Sequence, residues 1–371
     1  MRPELGQFED EVRERTPHGT EILDVHTHLG ADEDGSRLDL PTLLRQLDRV
    51  AIRQACVFPL HDPDRAPGYR VPNDRVLGWA ADSGGRLIPF CRLDPVDGAA
   101  TEAERCLARG ARGIKLHPRA QAFGFDSAAI ANIFRIAERA GVPILIHAGR
   151  GMGPVADALC DVALRHPGAP LILAHGGIAD QGVFATRLAD HPAALFDTSV
   201  FGPLDLLELF ARVPAERIVF GSDPPYGRPL LALYATLRCA AAAGLSEADI
   251  RAMLGGTMRA VLTGEPLSHP TAPRRPQTLT MTGSLARVHM YCAMAFAGVV
   301  QGQLASARDT LELARSVCRD PRPGGAAGAL HRIQRSLDAV ILALDTPGRR
   351  VPSDVLYLAS VLAATEPPSV G

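Results

Sequence analysis

The chain is nearly devoid of lysine: of 39 basic residues only Lys115 is not arginine. Where a permanent positive charge suffices, this protein uses guanidinium. Lys115 therefore marks a position where a group that can lose its proton, act as a nucleophile or be modified has a use. Cysteines are few and scattered, seven in all, odd in number and without a CxxC spacing. That excludes a disulfide framework and fits a reduced, cytoplasmic protein. Neither sign of charge dominates. The formal net charge of -2 leaves no basic field to attract nucleic acid. The N-terminus MRPELGQFEDEVRERT is highly charged and has no apolar core of a secretory signal. The longest apolar run, 290–300, is too short to span a bilayer, so no membrane association is expected. No GxGxxG follows the first apolar run, which argues against a dinucleotide-binding open sheet.

What the sequence has is a rhythm. Between residues 21 and 264 eight short apolar runs recur, at 22–26, 54–59, 87–92, 113–117, 143–147, 171–175, 194–198 and 218–223. Amphipathic segments separate them, among them 41–50, 127–140, 154–165 and 203–213. Gly110, Gly141 and Gly168 stand where helices should stop. Uniformly apolar strands alternating with helices predict a parallel sheet covered on both faces. Eight such units predict an α/β fold, a (β/α)8 TIM barrel, here with a C-terminal α-helical extension. Residues 1–20 form an N-terminal segment, 265–278 a Pro-rich linker and 279–371 a helical domain. In that domain 279–301, 303–318, 327–345 and 353–364 read as helices. The first is apolar on nearly every side and is expected to be the buried one.

Five of the twelve histidines end predicted strands: His26 and His28 in the first, His117 in the fourth, His147 in the fifth and His175 in the sixth. Asp223 ends the eighth. Residues i and i+2 of a strand share a face, so His26 pairs with His28 and Lys115 with His117, all directed inward. A (β/α)8 barrel gathers the C-terminal strand ends around one mouth. Each residue alone has an ordinary explanation, as a core histidine or a helix-capping aspartate. Together they form a donor set of imidazoles and carboxylate suited to a divalent ion such as Zn2+. His18, His61, His166, His191, His269, His289 and His331 lack this placement and read as surface, capping or packing residues.

The segments DVHTHLG (24–30), FCRLDP (90–95), GIKLHP (113–118), PILIHAG (143–149), LILAHGG (171–177) and RIVFGSDPPYG (217–227) resemble the amidohydrolase superfamily, specifically its amidohydrolase 2 branch. The resemblance covers 21–262 and leaves out the helical tail. It implies that His26, His28, His147 and Asp223 hold one metal, most simply Zn2+. It implies that His175 polarises the substrate or binds a second metal. Asp223 would then relay a proton from a water whose pKa the metal lowers. In binuclear relatives a carboxylated lysine on the fourth strand bridges two ions. Lys115 either does this with His147 and His175 or orients a substrate carboxylate as an ammonium.

Arg92, Arg119 and Arg150 follow the third, fourth and fifth strands and would ring the mouth, suiting an anionic small molecule. For Arg92 a salt bridge to Asp94 or Asp97 is the alternative. His117 and Tyr226 are further candidates for substrate contact. Three functions fit: metal-dependent hydrolysis of a C–N or C–O bond, non-oxidative decarboxylation or hydration by a lyase of the same fold, or an inactive barrel acting as a scaffold through its tail. The tail itself suits homodimerisation or covering of the mouth.

Overall fold

The computed structural model describes residues 3–149, 155–178, 180–273, 283–319, 327–346, 348–349 and 351–366. Arg150 and residues 274–278 of the linker lie outside them. Ten strands are present: β1 Ile22–Ala31, β2 Arg37–Leu38, β3 Ile52–Pro59, β4 Leu87–Pro89, β5 Cys91–Arg92, β6 Ile114–Leu116, β7 Ile144–His147, β8 Leu171–Ala174, β9 Ala194–Asp197 and β10 Ile218–Val219. They run in the orders β2-β1-β3-β4 and β5-β6-β7-β8-β9-β10. Apart from the short β1–β2 hairpin every pairing is parallel. Backbone bonds join the two sheets on both sides: Phe90 N to Val57 O at 2.8 Å, and Val25 N to Phe220 O at 2.9 Å. The expected third strand is thus broken at Phe90 into β4 and β5. The Phe90 ring turns onto Gly113, where any Cβ would lie 2.5 Å from it.

The helices begin and end where local chemistry dictates. Asp39 caps Leu40–Arg49 by accepting from Thr42 N, and Ser127 caps Ala128–Ala140 by accepting from Ile130 N. Gly141 closes that helix in the left-handed region at φ 63°. Leu23, Val25, Phe58, Leu145, Ile172, Leu195 and Val219 fill the barrel interior, while a larger cluster lies between strands and surrounding helices. Leu23 and Val25 would put His26 and His28 on the opposite face of a regular strand. A register irregularity between Asp24 and Thr27 turns the chain so that both histidines also reach the axis.

Among the described residues the tail forms four helices, Gly283–Val300, Leu304–Arg319, Ala327–Leu344 and Ser353–Thr365. The buried one is the last and not the first. Eleven residues of Ser353–Thr365 are buried, because it lies between the bundle and the barrel helices Pro229–Ala242 and Pro203–Arg212. Gly283–Val300 buries one stripe (Leu285, Val288, Cys292, Ala295, Gly298) and leaves Met290 and Met294 exposed. At 18 residues it is long and apolar enough to cross a membrane by length and composition, which the run 290–300 alone did not suggest; here it packs as a member of the bundle.

Glu11, on the N-terminal helix Pro3–Arg15, ties three parts together. It is buried and accepts from Arg238 of the barrel, Arg332 of the tail and Arg15 of its own helix. Burial opposes its ionisation, but Arg238, Arg332 and Arg15 outweigh burial and lower its pKa to about 2. Its stabilisation is complete above the ordinary carboxylate pKa of about 4.3 and is lost as pH falls toward that lowered value. Glu11→Gln leaves the buried Arg238 with Glu366 and Thr365 as partners but removes the charge shared with Arg332 and Arg15, and is expected to cost about 2 kcal/mol at pH 7 in urea unfolding. The deficit should shrink below pH 4; a pH-independent deficit would contradict this account.

Candidate metal centre

At the C-terminal end of the barrel a cavity of about 460 Å3 is lined by His26, His28, Lys115, His117, His147, His175 and Asp223, with Arg92, Arg119 and Tyr226 around them. The strand-end residues singled out in the sequence therefore converge. Strand register explains part of this: Arg92, Lys115, Leu145, Ile172 and Leu195 are successive partners across β5 to β9, forming one layer below the mouth.

His26, His28 and Asp223 form a group whose donor atoms lie within 4.8 Å of one another. The Nε2 atoms of His26 and His28 lie 3.1 and 3.0 Å from Asp223 Oδ1, and all three side chains are buried. The histidines keep Asp223 strongly ionised against the cost of burial. Asp223 has φ 58° and His175 φ 56°, left-handed values that cost a non-glycine residue on the order of 1–3 kcal/mol. They are held there by Asp223 N on His26 O at 2.7 Å and by His175 N on Asp197 Oδ1 at 2.9 Å.

His147 stands apart from that triplet. Its ring stacks on His117 with centroids 3.9 Å apart, and its Nδ1 lies 3.1 Å from His175 Nε2. Its Nε2 is buried without a hydrogen-bond partner among the described residues. Burial, followed by the charge of His175, lowers the His147 pKa to about 2, so the ring is neutral and offers a lone pair. His175 Nδ1 faces Ser199 O at 3.3 Å and Ser199 Oγ at 3.0 Å. A backbone carbonyl accepts only, which places the proton on Nδ1 and a lone pair on His175 Nε2. Burial keeps this ring neutral too.

Lys115 is fully buried, with Nζ 3.5 Å from His26 Nε2 and 4.8 Å from the Phe58 ring centroid. Burial lowers its pKa to about 7 against the pull of Asp223. Its charge also bears on His28, His117, His147 and His175.

Two residues beneath the donors were not singled out from the sequence. Asp197, at the end of β9, accepts from His26 Nδ1 at 2.7 Å and from His175 N, Ser199 N and Ser199 Oγ. It fixes the His26 tautomer, so that Nε2 points to Asp223. Asp24 receives His26 N, Ser222 N and Ser222 Oγ, tying β1 to the segment after β10. A carboxylate at a strand end was the available signal for Asp197.

The opposite wall is polar in a different way. Arg92 is 1% exposed and makes no salt bridge among the described residues; Asp94 and Asp97 instead accept from Val96 N and Gly68 N. Its guanidinium lies 5.0 Å over the Tyr69 ring, bonds Pro59 O at 3.3 Å and leaves Nε unpartnered. His61, read from the sequence as a surface or packing residue, lines the cavity: it follows β3 at the same mouth, only two residues past the strand end. Its Nδ1 meets Tyr69 Oη at 2.5 Å and Arg92 Nη2 at 3.4 Å. Tyr226 donates to Asp32 Oδ2 at 2.7 Å, and Arg119 sits exposed at the rim. His117 lines the wall and uses Nδ1 to cap the turn at Ala120 N. No tail residue lines the cavity among the described residues.

The ends of these parallel strands gather five histidines, an aspartate and a lysine around one cavity, a donor set that could hold a divalent metal. The amidohydrolase 2 family model matches residues 23–263, and the chain belongs to that family. Its members are enzymes, hydrolases or decarboxylases, and typically bind a divalent metal. The barrel is similar to solved structures at the level of the fold. An amidohydrolase from Burkholderia multivorans with bound HEPES is 17% identical (TM-score 0.51), with 66% of this chain and 99% of that one covered. The IDCase of Metarhizium anisopliae in apo form is 16% identical (TM-score 0.54; 67% and 98% covered). A probable 2-pyrone-4,6-dicarboxylic acid hydrolase from Acinetobacter baumannii is 12% identical (TM-score 0.50; 66% and 99% covered). No curated protein matches the sequence.

Proposed function

We propose that the protein is a metal-dependent hydrolase acting on a C–N or C–O bond of a small anionic molecule. The observation that carries this reading is the buried His26–His28–Asp223 triplet facing, across one cavity, a buried guanidinium without a carboxylate partner. The donor set fits a borderline divalent ion such as Zn2+: neutral imidazoles at His28 and His147, a His26 ring in which burial is outweighed by Asp223 and Asp197 so that its pKa is raised, an ionised Asp223, and a buried His147 Nε2 without a partner among the described residues. When bound, such an ion supplies an activated water at neutral pH.

The remaining steps belong to the chain. Asp223 accepts the proton of the attacking water and returns it to the leaving group. Arg92 pairs with a carboxylate of the substrate, with His61 and Tyr69 holding the guanidinium in place. Tyr226 and His117 flank the bound molecule, Arg119 contributes positive charge at the rim, and His175 serves as a ligand through its Nε2 lone pair. Polarising a carbonyl would need a proton on that same atom.

The Lys115 amine, neutral above about pH 7, is proposed to take up CO2. A C–N bond forms at Nζ and one proton leaves; the resulting carbamate, with His147 and His175, would hold a second ion, the first then resting on His26, His28 and Asp223.

The test is metal analysis of the purified protein followed by a panel of anionic amides, esters and lactones read by proton release. Parallel CO2 detection is run on aromatic and enoic acids. Turnover that chelation abolishes and zinc restores supports the proposal. CO2 release without amide, ester or lactone turnover would replace it with decarboxylation. Arg92→Met is expected to raise KM by about 10- to 100-fold, the worth of a charge-assisted hydrogen bond, without lowering Tm. A lower Tm with unchanged KM would make Arg92 structural.

A further inference from the structure

The tail, which the family match leaves out, touches two loops at the mouth of the barrel. Its last helix, Ser353–Thr365, makes two polar contacts to the barrel near its N-terminal end, and both land on mouth loops. Tyr357 Oη donates to Phe201 O at 2.6 Å, in the loop after β9. Asp354 pairs with Arg228, in the loop that carries Asp223 and Tyr226.

Each contact is short of the site by one step. Phe201 is buried, and its ring presses on Gly176, where a Cβ would come within 2.6 Å of Phe201 Cζ. Gly176 itself sits at φ 52°, directly after His175. Two residues before Phe201, Ser199 holds His175 Nδ1 and bonds Asp197, the carboxylate that orients His26. Val200 between them lines the cavity at φ 55°, a conformation a β-branched residue keeps only when its neighbours enforce it. In the other loop Gly227 N bonds Asp223 O, so the segment from Asp223 to Arg228 is a tight turn whose far end is anchored on Asp354.

We propose that the Ser353–Thr365 helix is a brace that fixes the loops 198–202 and 223–228, and through them the positions of His175 and Asp223. Tyr357 and Arg228 are positioning residues: neither lines the cavity. The two loops hold the left-handed non-glycine residues Val200 and Asp223, and the appended bundle adds a polar contact to each loop beyond those the barrel makes. This rests on the metal-site reading above for its effect on the donors, and on the structure alone for the loops.

The test compares full-length Tyr357→Phe and Arg228→Met with wild type by amide hydrogen exchange and by titration with Co2+ alone. Exchange in 198–202 and 223–228 is expected to rise at least ~10-fold while β6 to β8 keep their protection. Co2+ affinity should fall by about tenfold, the low end for a group that orients ligands, with a changed visible spectrum. Arg228→Lys, which keeps the charge opposite Asp354, should restore both. Unchanged exchange in the two loops overturns the brace, and so does a rise spread evenly over the barrel, which would mean lost stability only. A wild type that takes up no Co2+ removes the metal reading, and the exchange result still decides the brace.

Discussion

Asp223→Asn is expected to abolish tight divalent-ion binding and to lower turnover on the order of 1000-fold while leaving the barrel folded. Asn keeps the size of the side chain and its left-handed backbone preference. It removes the charge that faces His26 and His28 at about 3 Å, and with it the group that accepts a proton from water. General acid–base groups of this kind contribute about 100- to 10,000-fold. Metal content per chain after dialysis, and turnover at saturating zinc, check the two halves separately. Full metal occupancy in the variant would show that the aspartate is not a ligand. Unchanged turnover would move proton transfer to another residue.

The second large effect concerns Lys115. If its carbamate bridges two ions, wild type prepared with bicarbonate and zinc binds two ions per chain and Lys115→Arg or Lys115→Met binds at most one. Arginine cannot replace it, because a guanidinium stays protonated and does not attack CO2. One ion per chain in wild type, with Lys115→Arg still active, would dispose of the bridge. The metal-free protein gives an independent check with a definite sign. Burial lowers the Lys115 pKa from its ordinary value near 10.5 to about 7. Below pH 7 the amine is charged in both folded and unfolded chains, and the folded state bears the full cost of burying it. Between pH 7 and about 10.4 the unfolded chain holds the proton that the folded chain has released, so stability rises with pH. Metal-free Lys115→Met should therefore melt above wild type at pH 6, and the difference should narrow toward pH 10. A gap that widens with pH would mean that Asp223 and Asp197 hold the ammonium in place.

The barrel and the donors were legible because both follow from short-range rules. Apolar runs at strand length, spaced by amphipathic helices, admit few arrangements other than parallel strands covered by helices. Residues at the same end of each strand must then meet at one mouth. His61 escaped that rule because it lies two residues beyond its strand, on a loop whose path the sequence pattern does not give. Asp197 escaped because nothing in a lone strand-end carboxylate says that His26, 171 positions away, will turn Nδ1 toward it. Arg92 could have met Asp94 or Asp97 in a local turn; those carboxylates bind backbone amides instead, and only the folded wall shows a buried guanidinium left for a ligand.

By itself, then, the sequence determined the alternation of strand and helix, the mouth at which His26, His28, His117, His147, His175 and Asp223 gather, and the single lysine among them. The tertiary structure decided how those groups divide. It set the His26–His28–Asp223 triplet apart from the His147–His175 pair, assigned ring protons through Asp197 and Ser199, and put the last tail helix rather than the first into the core. The physical reason is range. Periodicity fixes which face a residue takes within one element, whereas tautomers, charge partners and helix burial depend on atoms brought within a few ångströms by chain segments far apart in sequence.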